Sequence, residues 1–136
     1  MIYPLLTNIA WIVIAATGLR TIPTANQIDM KKFFHALSAV ESNHNDNAIG
    51  DNGRALGRYQ IWQVYWQDSR ISGKYEQVKN KKYAERVMIG YWKRYCPIAL
   101  KNKDFKTLAR IHNGGPKGNK KQATIKYWLK VKKHLN

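Results

Sequence analysis

The chain has 136 residues, enough for one domain with a buried core and too few for two ordinary ones. Its 24 Lys and Arg stand against 8 Asp and Glu, a formal net charge of +16, which draws it toward polyanions: nucleic acid, anionic membrane surfaces or acidic wall polymers. The single cysteine, Cys96, excludes an intramolecular disulfide and a multi-cysteine metal site, and the scattered histidines and unclustered carboxylates call for no metal or organic cofactor.

The first element is the stretch Ile2 to Leu19, apolar apart from Thr7 and Asn8 and followed by Arg20. It reads as an export signal, cut near Pro23-Thr24-Ala25 or near Ala15 and Ala16, with an uncleaved anchor or a buried helix as the alternatives. Residues 1–25 are therefore assigned to signal or anchor, and residues 26–136 to one folded domain in a secreted or periplasmic location, as a monomer.

Next, Asp29 is a candidate N-cap for a helix that spaces Met30, Phe33, Phe34, Leu37 and Val40 along one face and ends near Glu41 to Asn43. Residues 44–56 are rich in Asn, Asp and Gly and predict turns with a short irregular hairpin at 49–57. Tyr59 to Ser69 predicts a helix carrying Ile61, Trp62, Tyr65 and Trp66, and another follows with Tyr83, Val87, Met88, Tyr91 and Tyr95. Asp104 caps a helix that stops at Asn113-Gly114-Gly115-Pro116, and "QATIKYWLKVKKHL" forms a basic terminal helix. This gives a mainly α chain of about five helices with one irregular β insertion, in which Trp62, Tyr65, Trp66, Tyr91 and Trp92 read as core.

Because acids are scarce, their positions carry information. A carboxylic acid donates a proton near neutral pH when its surroundings disfavour the charged form, as apolar packing and a helix C-terminus both do. Glu41 has Leu37 and Val40 before it and the helix end beside it. Of the two nearby acids, Asp51 is the one a hairpin would fold back toward Glu41, and Asp46 reads as a turn residue bonding its own backbone. Such a pair suits glycoside cleavage, in which one acid protonates the leaving oxygen and an ionised group assists an oxocarbenium-like transition state.

The segments "AVESNHNDNAIGDNGRALGRYQIWQVYWQD", "YWKRYC" and "LARIHNGGPKGNKKQATIKYWLKVKKHL" together resemble the invertebrate-type (i-type) lysozymes, including the destabilase group, over nearly all of residues 33–134. The most specific anchors are "ARIHNGGPKG" with "YW" and "KV" after it, and "YQI" with "YW" a few residues on. The resemblance implies a lysozyme-like α+β fold around a catalytic cleft, Glu41 as general acid, Asp51 as second carboxylate, and cleavage of the β-1,4 bond between N-acetylmuramic acid and N-acetylglucosamine. Members of that family are typically rich in cysteine, and this chain departs from them in holding Cys96 alone.

Along the sugar groove the expected substrate-binding residues are Tyr59, Gln60, His112, Asn113 and Gly114. Bacterial peptidoglycan is the expected partner and the anionic wall the surface to which the charge brings the protein; no zinc-finger, RRM or basic-zipper pattern indicates specific nucleic-acid binding.

Two other readings stay open. Glu41-Ser42, Asn45 or Asn47 with Ala48, Gly53, Gly57, Gln60 and the "NGGP" at 113–116 are similar to soluble lytic transglycosylases, which cut the same bond with one acid and leave an anhydro sugar. The basic terminal helix also permits a non-catalytic cationic antimicrobial or wall-binding protein. An isopeptidase side activity, credited to some destabilase-type relatives, would need a nucleophile with a basic partner; Ser42, Ser69 and Ser72 are present, but no spacing marks such a pair.

Overall fold

The computed structural model describes residues 25–136, and the signal or anchor read at the N-terminus lies outside the described residues. Helix α1 (Ala25–Ser42) starts ahead of Asp29, so that aspartate lies within the helix and does not cap it. Its apolar face buries Phe33, Phe34, Ala36 and Leu37. The helix ends where Asn43 and His44 turn left-handed (φ 52° and 66°) and their N–H groups donate to the carbonyls of Ala39 and Ser38. That pattern satisfies carbonyls the last turn would leave bare, and it stops α1 one residue after Glu41.

The turn-rich insertion folds into a three-stranded antiparallel sheet in the order β1 (Ile49–Gly50), β2 (Ala55–Leu56) and β3 (Ile61–Trp62). Gly50 pairs with Ala55, and Ala55 in turn with Trp62. Asp46 does not bond its own backbone as expected from sequence. The Arg58 guanidinium grips both its oxygens and lowers its carboxyl below the ordinary range, while Asn45 makes the local turn by accepting from the N–H of Asn47.

The predicted helix from Tyr59 is also corrected: strand β3 comes first and α2 spans only Gln63–Ser69. In a strand neighbouring side chains alternate, so Ile61 is buried while Trp62 is 39% exposed and leaves the core to which it was assigned.

Helix α3 (Lys81–Tyr95) starts at Asn80, whose side chain accepts from the N–H of Tyr83, and it buries Val87, Met88, Tyr91 and Trp92. A short helix absent from the sequence reading, α4 (Pro97–Asn102), has Pro97 in its first turn, where a missing N–H is harmless. Helix α5 (Phe105–Gly114) has the predicted Asp104 cap, and α6 (Ala123–Lys133) follows. The described residues thus hold six α-helices, against the expected five or so.

Trp92 lies at the centre of the core, its ring near Phe33 and Phe34 and its indole N–H donating to the Leu108 carbonyl at 3.2 Å. Cys96 is buried and free, and burial pushes its thiol up to about 11, with Asp104 adding a smaller push. Helix α2 packs on α3, and α6 packs on both α5 and α1. The turn at Gly118–Lys120 lies against α5 so closely that a Cβ on Gly118 would come 2.1 Å from the Arg110 carbonyl oxygen. Backbone stands on both sides of that contact, so neither can yield cheaply. Gly118→Ala is expected to cost about 1–3 kcal/mol, read as a lower urea midpoint at unchanged m-value.

Candidate active site

A cleft of about 590 Å³ lies between the sheet and helices α2, α3 and α5. Glu41 and Asp51 both line it, together with Gln60, Trp62, Tyr65, Asp68, Tyr91, His112, Asn113, Gly114 and Lys121. The structure therefore brings together six of the seven residues nominated from sequence, and three of the chain's eight acids: Glu41, Asp51 and Asp68.

Glu41 is the least accessible of these carboxylates, with 17% of its side chain exposed. Its Oε1 accepts a hydrogen bond from the Tyr127 hydroxyl at 2.7 Å and lies 3.4 Å from His112 Nε2. The His112 ring is itself fixed from both sides. Nε2 is 3.1 Å from the Tyr59 carbonyl, which can only accept, so Nε2 carries a proton. In the neutral ring Nδ1 then accepts from the Tyr65 hydroxyl at 3.2 Å. Both nitrogens are occupied by Tyr59 and Tyr65, so the ring packs 3.4 Å from Glu41 as a fixed wall and offers no nitrogen to a sugar hydroxyl.

Asp51 is placed by an unusual turn, in which it and Asn52 are both left-handed (φ 50° and 55°) ahead of Gly53. Such backbone is sparsely populated and is kept only where its surroundings demand it. Arg54 clamps the turn by donating Nη2–H to Asp51 Oδ1 at 3.0 Å and Nε–H to its main-chain oxygen at 3.1 Å, and its guanidinium lies 4.9 Å from the centre of the Trp62 ring. One arginine thus joins Asp51 to the exposed aromatic face beside it.

Gln60, also left-handed, donates its amide to the carbonyl of Gly57 and, at 3.4 Å, of Ala48. A Cβ on Gly50 would fall 2.0 Å from that amide oxygen, which explains the glycine opposite. Gln60 lines the cleft while it ties the sheet together. Tyr59 is the one nominee the structure moves elsewhere: it is buried against Phe34, and its hydroxyl donates to Glu85 at 2.7 Å. Its contribution to the site is its carbonyl, held against His112. Asn113 is exposed on the wall, and Gly114 presents its carbonyl to Lys121 Nζ at 2.6 Å.

Sequence reasoning missed Trp62, Asp68, Tyr127 and Lys121. Asp68 is pinned by the Tyr95 hydroxyl at 2.8 Å and by Arg94 at 3.3 Å. Tyr127 carried no local signal, since it lies 86 residues from the glutamate it serves. Among the described residues no cluster of His, Cys, Asp and Glu has the makings of a metal site.

Comparison with known proteins points one way. The family profile named Destabilase matches residues 30–134. The lysozyme of Ostrea edulis is 38% identical over 85 residues, which cover 60% of this chain and 62% of that protein. The lysozyme of Meretrix lusoria is 34% identical over 86 residues, covering 58% of this chain and 66% of that one. Matches of this extent reach about three fifths to two thirds of the relatives' own length. In three dimensions the chain is similar to Tapes japonica lysozyme, with a TM-score of 0.65 and 29% identity over 76% of this chain and 88% of the other. It is similar also to Meretrix lusoria lysozyme bound to Aeromonas hydrophila PliI, with a TM-score of 0.65 and 27% identity over the same shares.

The phenols around the carboxylate give this site a pH signature. Burial drives Tyr65 and Tyr127 well above the ordinary 10.0, and the negative charge of Glu41 adds to the effect on both. Burial likewise raises Tyr59, helped by its bond to Glu85, and raises Tyr91. Folded values above the unfolded one mean that this stability is fully present below pH 10 and is lost as the pH climbs beyond it. Phenolate absorbance from these four tyrosines should therefore appear only together with the loss of circular dichroism in an alkaline titration.

Proposed function

The chain belongs to the destabilase family, and from that membership and the cleft we propose that it is an exported lysozyme-type glycosidase. It hydrolyses the β-1,4 bond between N-acetylmuramic acid and N-acetylglucosamine in bacterial peptidoglycan. The observation that carries this reading is the pairing of Glu41 and Asp51 in one cleft, with Glu41 drawn into the wall and Asp51 more open beside an arginine.

In this reading Glu41 is the general acid. The Tyr127 hydroxyl engages Oε1 and the His112 ring lies on the same side, which leaves Oε2 to give its proton to the glycosidic oxygen. Asp51 works ionised, with Arg54 as its partner, and assists the oxocarbenium-like centre as the bond breaks. Trp62 offers an exposed aromatic face to the apolar side of a pyranose, and Asn113 offers an amide to its hydroxyl or acetamido groups. The net charge of +16 concentrates the protein on the anionic wall, and the apolar stretch from Ile2 to Leu19 supports an exported location.

Asp51 on the cleft wall favours hydrolysis over the one-acid route that ends in an anhydro sugar. Glu41→Gln is expected to lower kcat on purified peptidoglycan by at least about a hundredfold with the thermal transition unchanged; full activity in that variant would refute the assignment. Trp62→Ala is expected to act chiefly on KM, by several-fold, because it removes binding surface without touching the reacting atoms.

A further inference from the structure

Resting on the reading above, we propose that Lys121 is a specificity residue that recognises a carboxylate on the glycan's substituents, so that the enzyme prefers muramoyl strands bearing free peptide carboxylates to the same strands with those carboxylates neutralised. Of the 24 Lys and Arg in the sequence, Lys121 alone stands among the described residues that line the cleft, where three carboxylates also stand.

Each of those carboxylates is answered from within the protein. Glu41 has the Tyr127 hydroxyl, Asp51 has Arg54, and Asp68 has Arg94 and Tyr95. The Lys121 ammonium meets only a neutral oxygen, the Gly114 carbonyl at 2.6 Å. That contact uses one of its three donors and does not neutralise its charge. An anion arriving in the cleft would find there a cation already oriented and still unmatched.

The lysine is also firmly mounted. Its main-chain oxygen accepts from Arg110 Nη2 at 3.0 Å and from the Thr124 hydroxyl at 2.8 Å, and Arg110 Nε donates to that same hydroxyl at 2.9 Å. Its bond to Gly114 puts the charge at the end of α5, next to the exposed amide of Asn113. A polymer of N-acetylglucosamine alone carries no anion to meet it, whereas every muramoyl unit carries a lactyl ether whose carboxyl group is free or extended by a peptide with free carboxylates. A lysine at a helix C-terminus also favours the helix dipole. That structural contribution would affect all substrates alike, and the test turns on this difference.

The test compares native peptidoglycan strands with the same strands after their carboxylates are amidated, using wild type, Lys121→Gln and Lys121→Arg. Wild type should show a higher kcat/KM on the native strands, by about two- to fivefold for an exposed charge contact. That preference should vanish in Lys121→Gln, persist in Lys121→Arg, and shrink with added salt in wild type. A preference unchanged in Lys121→Gln, or a loss of equal size on both substrates, would overturn the proposal while leaving the glycosidase intact. Failure of wild type to cleave either substrate would instead overturn the glycosidase reading, and this proposal with it.

Discussion

A carboxylate drawn most of the way out of water has to be met by donors, and the site is organised around how this chain meets that requirement at Glu41. The donor comes from far along the sequence, Tyr127 on α6, and His112 on α5 packs beside the carboxyl group, itself fixed by the Tyr59 carbonyl and the Tyr65 hydroxyl. Four residues from four other segments are gathered around one carboxyl group. The helices hold those segments in register, which is why α6 packs on both α1 and α5.

The second carboxylate is held by different means. Glu41 depends on burial and long-range packing, while Asp51 depends on local backbone, in a left-handed turn closed by Arg54. The small sheet exists to carry that turn. Its strands are only two residues long, and side chains add to its cohesion: Gln60 bridges Gly57 and Ala48, and Arg58 holds Asp46. An acid on a helix end and a carboxylate on a turn thus line the same cleft. In a protein of such positive charge, three of the eight acids are gathered in one cleft.

Much of this was legible in the sequence, for identifiable reasons. The helix around Phe33 and Leu37, the Asp104 cap and the stop at Asn113 to Pro116 are local patterns, and the fold obeys them. Glu41 and Asp51 stood out because acids are rare here. What failed was whatever depends on distant partners. The Tyr59 to Ser69 run has helical spacing, yet pairing of Ile61 and Trp62 with β2 makes a strand of its first part and turns Trp62 outward. Tyr59 was read as a groove residue because it is aromatic, but Glu85 and Phe34 take its side chain inward. Tyr127 and Lys121 lie in the basic terminal segment, where nothing in the local pattern distinguishes a cleft residue from a solvated one.

The most direct test of the central claim is the chemistry of the newly formed sugar end. Purified peptidoglycan is incubated with the protein and the soluble products are analysed by mass spectrometry. Hydrolysis by a paired Glu41 and Asp51 predicts fragments ending in reducing N-acetylmuramic acid. An anhydro-muramic terminus would contradict the two-carboxylate account and leave Glu41 acting alone, and the absence of any released fragment would contradict glycosidic cleavage altogether.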